Sequence, residues 1–396
     1  MMLPRLLLRQ RQSTLLRRAK VANARTLTTV EDASKPIRWG IVGAGSISKD
    51  FAKAVNFTQG AEISAVAARS ASKAAEFAKN HDIPQSYGSY DDLIQDPNVD
   101  VVYIGTIADT HAPLAKMSLL HHKPTVVEKP LTTSFQETKE LIDLAKRNQV
   151  FFLEGMWSRF FPAMKKVRQL IADGAIGQPV MVSGDFGWST QGCDEHHRIW
   201  FPASGGMIYD VAMYMAQLGL AAYEGDSFYK VSAMGITQQP TTMQHHPVDH
   251  TALVSCQMEH NRNGFLQFHV TGQASTEERA VFQGTKGRIV LENHHVPSKI
   301  QLYNNDGAQI LEFPLPDDSF ASWDHASSIG FTYQIEGVGK ALREGALECP
   351  EFTWRESLEI ARMLEDIRGQ VIGTAEDEGE SSEPESETAS VARYGR

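Results

Sequence analysis

One lysine and one aspartate–tyrosine pair have the residue types needed to move a proton beside a charge. Lys129 lies in the sequence Glu128-Lys129-Pro130, directly after an apolar run that predicts a strand. Asp210 and Tyr214 are four residues apart in a predicted helix and therefore share one face. Oxidation of an alcohol requires a base beside a cation, because the hydroxyl proton leaves as the hydride is transferred. A lysine near a tyrosine can meet this requirement by stabilising the phenolate.

The same residues also have a structural interpretation, in which Tyr214 and Met215 fill a helix–sheet interface. Helical tyrosines are often core residues, so spacing alone favours packing over catalysis. In the catalytic alternative, Asp210 would hold either the lysine or a substrate. The elements that position these residues must decide between the two interpretations.

A glycine turn near the start of the chain predicts a site for a dinucleotide. The strand predicted over residues 37–42 breaks at Gly43-Ala44-Gly45 and leads into a helix beginning near Ser46 and Ile47. The glycines permit a tight turn and a close approach of a pyrophosphate, which the free N–H groups of the helix would bind. Alone this pattern is weak, and a turn that simply needs glycines is the alternative.

Arg69 lies at the end of the second predicted strand, where an NAD-binding unit would carry an acidic residue. A carboxylate repels a 2′-phosphate, whereas a guanidinium can bind it with two hydrogen bonds. The position therefore favours NADP over NAD, and a solvated arginine is the alternative.

Strands and helices alternate regularly over residues 37–155, which predicts an α/β Rossmann domain with a parallel sheet. The strand predicted from Val99 to Gly105 is apolar throughout, as strands buried on both faces are. Thr106 and His111 follow this strand, and Glu128 with Lys129 follows the next. Open α/β sheets bind ligands at this carboxyl edge.

Residues 156–372 change to a strand-rich pattern that predicts a second, α+β domain with a large, mostly antiparallel sheet. One helix, predicted over 206–218, interrupts the strands, and two more close the domain. The predicted strands cover residues 180–188, 229–237, 251–258, 265–272, 280–283, 288–292, 300–303 and 309–313.

Composition excludes several classes of protein. The 396 residues carry a net charge of −10, which argues against a nucleic-acid partner. The three cysteines are widely spaced and indicate no disulfide framework. Because no apolar run reaches about 18 residues, we expect no membrane span.

The two ends of the chain differ sharply in charge. Residues 1–30 are rich in arginine and leucine and lack acidic residues, so we expect residues 1–36 to be a mitochondrial presequence or a disordered basic tail. The predicted location is the mitochondrial matrix, with the cytoplasm as the alternative. Residues 373–396 are strongly acidic and predict a disordered tail.

Four histidine pairs raise the question of a metal site: His121-His122, His196-His197, His245-His246 and His294-His295. None shows the spacing of a dedicated site, so we predict no metal.

Several of these motifs together resemble the glucose-fructose oxidoreductase/inositol dehydrogenase/MocA family over residues 37–372. The motifs are Gly43-Ala44-Gly45, Ala68-Arg69, Glu128-Lys129-Pro130, the segment 154–162 (EGMWSRFFP) and the segment 205–214 (GGMIYDVAMY). Many members carry histidine four residues after the aspartate. Tyr214 is similar instead to the branch that oxidises dihydrodiols and D-xylose with NADP.

The resemblance implies roles for individual residues. Lys129 and Tyr214 would be catalytic, with Tyr214 as the acid/base and Asp210 beside them. Trp157 and Asp210 would line the substrate site, and His111 would support it near the nicotinamide. The implied cofactor-binding residues are Gly43, Ala44, Gly45, Ser46, Ile47, Arg69, Thr106, Glu128 and Lys129.

The implied activity is NADP-dependent oxidation of a sugar or a trans-dihydrodiol, with a homodimer formed through the second-domain sheet. Residues 195–201 depart from the family pattern, which leaves the substrate open. Two alternatives also stay open: a dinucleotide-binding sensor without turnover, and a sugar oxidoreductase that holds its cofactor tightly.

Overall fold

The computed structural model describes residues 35–239, 247–319 and 321–377. Apart from residues 35–36 and 373–377, the predicted presequence and the predicted acidic tail lie outside these ranges. The first domain alternates strands and helices in the order β1 (Ile37–Val42), α1 (Ser46–Phe57), β2 (Ala61–Ala67), α2 (Ala71–Asn80), β3 (Gln85–Tyr87), α3 (Tyr90–Gln95), β4 (Val101–Ile104), α4 (His111–Leu120), β5 (Thr125–Val127), α5 (Phe135–Asn148) and β6 (Phe152–Glu154).

These strands form one parallel sheet in the order β3-β2-β1-β4-β5-β6. The central strands β4 and β5 are buried at every residue because helices cover both faces of the sheet. The parallel register brings the carboxyl ends of β1, β4 and β5 side by side, as the bonds from the Gly105 N–H to the Val42 carbonyl and from the Glu128 N–H to the Ile104 carbonyl show. The predicted Rossmann fold is confirmed.

The second domain begins with a short 3₁₀ turn, Trp157–Phe160, and contains most of the remaining elements. They are α6 (Pro162–Ala172), β7 (Pro179–Gly187), α7 (Met213–Ala222), β8 (Phe228–Gln238), β9 (Val248–Met258), β10 (Phe265–Thr271), β11 (Ala280–Gly284), β12 (Gly287–Leu291), β13 (Lys299–Asn304), β14 (Gly307–Glu312), α8 (Phe331–Arg343) and α9 (Trp354–Asp377).

The eight strands form a second sheet in the order β14-β13-β12-β11-β7-β10-β9-β8. Every neighbouring pair is antiparallel except β7 and β10, which run parallel. Helix α7 packs on the inner face, where Gly219 lies close enough to Leu266 that an added Cβ would touch it. The predicted α+β domain with a mostly antiparallel sheet is confirmed.

Some elements differ in detail from the sequence predictions. Strand β3 was not predicted as a strand, because only three residues pair with β2 at the sheet edge. The predicted helix 206–218 consists of a π-helical turn, Ile208–Ala212, followed by α7. Helix α9 continues to Asp377, past the predicted boundary at 372. Val371 is still buried in the core near its end.

Candidate active site

The two domains meet where Lys129 reaches Asp210. Lys129 follows β5, and its Nζ donates a hydrogen bond to the Asp210 carbonyl oxygen at 2.7 Å. The same Nζ lies 3.6 Å from Oδ1 of Asp210 and 5.2 Å from the centre of the Tyr214 ring. The structure thus brings Lys129 to two predicted site residues, Asp210 and Tyr214, that lie at least 81 residues further along the chain.

Trp157 holds the hydroxyl of Tyr214. The Trp157 indole Nε1 donates a hydrogen bond to the Tyr214 oxygen at 2.8 Å. Trp157 itself stacks on Phe331, with 4.5 Å between the ring centres. Both Trp157 and Tyr214 are largely buried, so the phenol oxygen is fixed in position and has a lone pair occupied by an N–H donor. The predicted contact of Trp157 with substrate stays a prediction.

Asp210 has two further partners that sequence reasoning missed. Arg198 Nη1 donates to Oδ1 at 2.6 Å, and Trp188 Nε1 donates to Oδ2 at 2.8 Å. Arg198 belongs to the segment 195–201, which departs from the family pattern, and that departure was the only sequence signal for it. Trp188 directly follows β7 and carried no signal beyond its position at a strand end.

The charges around Asp210 explain its ionisation. Burial alone would raise the pKa of the Asp210 carboxyl, but the nearby charges of Arg198 and Lys129 hold it well below its usual range. Burial lowers the pKa of Lys129, and the carboxylate of Asp210 opposes this effect. Asp210 therefore stays anionic between two cations at neutral pH.

The pKa of Tyr214 shifts in the opposite direction to that of Asp210. Burial, followed by the charge of Glu128, raises the pKa of the Tyr214 phenol well above its ordinary range. The hydrogen bond from Trp157 and the charge of Arg198 act against this shift. At neutral pH the phenol is therefore protonated and can act as a proton donor.

Glu128 is buried beneath the lysine and is held by a tyrosine. The Tyr103 hydroxyl donates to Oε1 of Glu128 at 2.8 Å, and the Tyr103 ring stacks on Phe51 at 3.6 Å between centres. Burial raises the pKa of Glu128, while Lys129 and Tyr103 lower it. Tyr103 on β4 thus connects Glu128 to the hydrophobic core beneath α1.

The glycine turn has room for a ligand on one side only. Gly43 has a φ of +105°, and a Cβ there would lie 2.9 Å from the Gly105 carbonyl oxygen, so protein packing explains this glycine. At Gly45, by contrast, the nearest atom to an added Cβ is 3.9 Å away. Gly45 precedes α1, whose first N–H groups have no side-chain cap. These features fit a dinucleotide pyrophosphate, which needs bare backbone and free N–H groups.

The other predicted cofactor residues surround this turn. Ser46 and Ile47 form the first turn of α1, and Thr106 lies against Gly43, with its Cγ2 2.9 Å from where a Gly43 Cβ would be. Arg69 is exposed just beyond β2, and no hydrogen bond or ion pair holds its guanidinium within the described ranges. Its five donors are available to a 2′-phosphate.

His111 joins two loops at the carboxyl edge of the sheet, and its predicted supporting role at the substrate stays a prediction. It is buried at the start of α4, with Nδ1 2.9 Å from the Pro130 carbonyl oxygen and Nε2 3.1 Å from the Thr106 carbonyl oxygen. Burial lowers the pKa of His111, although both carbonyl groups favour the protonated ring. The ring ties together the loops after β4 and β5, and a contact with substrate would require one of these bonds to break.

Two buried groups fix the helix that carries Tyr214. Oδ1 of Asp249 accepts a hydrogen bond from the Ile208 N–H at 2.6 Å, at the start of the π-helical turn. Arg159 is fully buried; its Nη1 donates to the Gln217 carbonyl oxygen at 2.8 Å, and its Nη2 is paired with Glu356. Both ends of the segment 208–217 are therefore anchored, and single π turns occur frequently at functional sites.

Over the part of the chain that the structure describes, no three His, Cys, Asp or Glu side chains are grouped so that they could hold a metal ion.

Among the described residues, no helix is both long and apolar enough to cross a membrane.

Both domains match models of one protein family. Residues 37–156 match the GFO_IDH_MocA model, described as an oxidoreductase family with an NAD-binding Rossmann fold. Residues 164–290 match the GFO/IDH/MocA C-terminal domain.

Characterised relatives align with the chain over nearly their whole length. Trans-1,2-dihydrobenzene-1,2-diol dehydrogenase of Bos taurus is 33% identical over 337 residues, covering 84% of this chain and 96% of the relative. The enzyme of the same name from Homo sapiens is 32% identical over 336 residues, with the same shares covered.

Solved structures share the fold. Levoglucosan dehydrogenase in complex with NADH and levoglucosan aligns with a TM-score of 0.73 at 21% identity, covering 86% of this chain and 98% of that chain. KijD10, a 3-ketoreductase from Actinomadura kijaniata in complex with NADP, aligns with a TM-score of 0.69 at 20% identity, covering 85% and 98%.

Proposed function

The chain belongs to the Gfo/Idh/MocA family of oxidoreductases, and on this premise we propose that it is an NADP-dependent dehydrogenase that oxidises a CH–OH group. The proposed substrate is a sugar such as D-xylose or a trans-dihydrodiol. The observation that carries the proposal is the meeting of Lys129 with Asp210 beside Tyr214. A protein that only binds a dinucleotide does not need a lysine, a carboxylate and a fixed phenol in one place.

The residues of this site divide the reaction between them. When bound, NADP⁺ supplies the acceptor for the hydride that leaves the substrate carbon. In the oxidative direction Tyr214 reacts as its phenolate, after its own proton has left to solvent, and takes the hydroxyl proton; in the reductive direction the phenol gives its proton to the carbonyl oxygen. Lys129 stabilises the phenolate that the first direction needs, and burial keeps the phenol protonated for the second.

Asp210 and Trp157 orient the two proton-handling groups. Asp210 keeps the Lys129 ammonium 5.2 Å from the Tyr214 ring centre and prevents it from turning towards solvent. Trp157 fixes the phenol oxygen through its 2.8 Å bond. Both groups reduce the motion that would otherwise have to be frozen in the transition state.

The choice of NADP is supported by Arg69. The exposed guanidinium stands at the end of β2, where the ribose of a Rossmann-bound dinucleotide lies. No carboxylate occupies this position in the sequence, and Ser70 and Lys73 follow it. A 2′-phosphate would meet complementary charge here.

A substrate panel tests the proposed activity. D-xylose, D-glucose and trans-cyclohexane-1,2-diol are incubated with the protein and either NADP⁺ or NAD⁺, and the NADPH absorbance band is followed. We expect turnover of at least one of these substrates, faster with NADP⁺. No turnover of any of them, although NADPH binds, would favour a sensor.

Two further properties are proposed with the activity. The second-domain sheet would pair with a second copy of the chain, and residues 1–30 would direct the protein to the mitochondrial matrix. A fluorescent reporter fused to residues 1–30 tests the second property, since cytosolic fluorescence would contradict it.

A further inference from the structure

We propose that His295, oriented by Glu278, binds a substrate hydroxyl other than the one that is oxidised and thereby selects polyhydroxylated, sugar-like substrates. This inference rests on the proposed function, because it assigns a substrate contact to the same site. Neither residue was predicted as a site residue from the sequence.

His295 lies on the open side of the catalytic tyrosine. The centres of the His295 and Tyr214 rings are 5.9 Å apart, and Phe186 lies beside both, 4.8 Å from His295 and 5.5 Å from Tyr214. About a quarter of the His295 side chain is exposed, whereas Tyr214 is 5% exposed. His295 therefore stands between the buried acid/base and solvent, where the remainder of a substrate would extend.

Glu278 lies against one side of the imidazole. Nδ1 of His295 is 2.7 Å from Oε2 of Glu278, a close charge contact without the alignment of a hydrogen bond, and Nε2 has no partner within the described residues. The carboxylate favours a ring orientation with Nδ1 towards it, which leaves Nε2 for a ligand. This geometry suits a hydroxyl group, which can both donate and accept a hydrogen bond.

The backbone segments that carry Glu278 and His295 are both hydrogen-bonded to Asp185 on β7. The Glu278 N–H donates to Oδ2 of Asp185 at 2.9 Å, and Glu278 adopts a φ of +52°, which non-glycine residues rarely adopt. His294, the residue before His295, is completely buried, and its Nε2 donates to the Asp185 carbonyl oxygen at 2.8 Å. His294 thus anchors the loop to β7, and His295 faces the site.

The chemistry separates two classes of substrate. A sugar offers hydroxyls beyond the reacting carbon, and a hydrogen bond to one of them contributes roughly tenfold to kcat/KM. An apolar ring offers nothing to Nε2 at that position, so its turnover would not depend on His295.

The test is a thermodynamic cycle between His295 and the substrate hydroxyls. The kcat/KM values for D-xylose and its 2-, 3- and 4-deoxy analogues are measured with NADP⁺ for the wild type and for His295→Phe. We expect one deoxy analogue to lose about tenfold with the wild type and to lose nothing further with the variant. Glu278→Gln should reduce the same coupling, and His121→Phe is the control, because His121 also contacts a carboxylate, Asp91, but lies in the first domain.

Additive losses at all three positions, or an equal loss for D-xylose and the mono-alcohol cyclohexanol in His295→Phe, would overturn the inference. The same cycle is run on D-xylose binding to the NADP⁺ complex by calorimetry. Coupling in binding without turnover supports the subsite and overturns the proposed oxidation. A wild type that does not bind D-xylose overturns the subsite.

Discussion

At the scale of single residues, Asp210 organises the charges of the site. Its carboxylate contacts Arg198 and Trp188, while its backbone carbonyl holds the ammonium of Lys129. The donors from Arg198, Trp188 and Lys129 keep the buried Asp210 anionic, and the bond from Lys129 keeps this lysine close to Tyr214. The Lys129 ammonium thus lies 5.2 Å from the centre of the Tyr214 ring, and this arrangement supports the acid/base role proposed for the tyrosine.

Arg69 should determine cofactor preference. In Arg69→Asp, a carboxylate would repel the 2′-phosphate and could bind the ribose hydroxyls, so the ratio of kcat/KM for NADP⁺ to that for NAD⁺ should fall by at least about tenfold. Lys79→Asp, on the last turn of α2, is the control for the change in charge. An unchanged ratio in Arg69→Asp would remove the residue from the 2′-phosphate site.

His294 should make the protein sensitive to acid. Burial lowers the pKa of His294 from 6.5 to about 4, so the unfolded chain binds more protons than the folded chain between these values. Folding stability should therefore fall as the pH decreases from 6.5 to 4, by on the order of 3 kcal/mol from this residue. His294→Gln, which keeps a donor for the Asp185 carbonyl, should flatten this part of the profile in urea unfolding. An equally steep profile would contradict this explanation.

At the scale of elements, Asp50 ties the chain between β14 and α8 to helix α1. Its fully buried carboxylate accepts hydrogen bonds from the N–H groups of Asp324 and His325 and from the hydroxyl of Ser328, at 2.8–2.9 Å. Lys49 adds an ion pair to Asp324 at 3.3 Å. The second domain is thus fastened to the helix whose first turn forms the proposed phosphate site.

Removing this carboxylate should loosen the connection. Asp50→Ala removes the acceptor of three hydrogen bonds, one of them from the buried Ser328 hydroxyl, so the free energy of unfolding should fall by about 3 kcal/mol. Hydrogen exchange at residues 324–330 should accelerate more than elsewhere. Lys49→Ala, which removes only the exposed ion pair, should cost less than about 1 kcal/mol. A similar cost for both variants would argue against Asp50 as the anchor.

The sequence predicted the elements with regular patterns better than the loops between them. The Rossmann strands carry continuous apolar runs, and Gly43 lies where a turn requires a positive φ, so both could be predicted. Arg198, Glu278 and His295 lie in connecting segments, and their contacts depend on how distant segments fold together. No periodicity or local spacing encodes the 2.6 Å bond from Arg198 to Asp210.

At the scale of the whole molecule, the outer face of the second sheet leaves apolar side chains in solvent. Met234 on β8 is 68% exposed and lies opposite Leu253 on β9, which is 46% exposed; Ile236, Phe265 and Ile310 are also exposed. Exposed apolar patches on a sheet often mark an interface. This pattern supports the proposed pairing with a second copy of the chain.

A charge on that face should separate the copies. Sedimentation of the wild type should give twice the chain mass of 43.9 kDa, and Met234→Glu should shift it towards the monomer, because a buried carboxylate without a partner is costly. Leu120→Glu, at a 56% exposed position in the first domain, is the control. A monomeric wild type would contradict the dimer.

The most direct test of the proposed mechanism is the effect of Lys129→Met on turnover and on cofactor binding, measured in parallel. NADP⁺-dependent oxidation of the best panel substrate is followed at the NADPH absorbance band, NADPH binding is followed by fluorescence titration, and Lys116→Met serves as the control. We predict that kcat falls by at least about a hundredfold while NADPH still binds, because the phenolate of Tyr214 loses its cation. Turnover close to that of the wild type would show that Lys129 and Tyr214 do not form the proton-transfer pair.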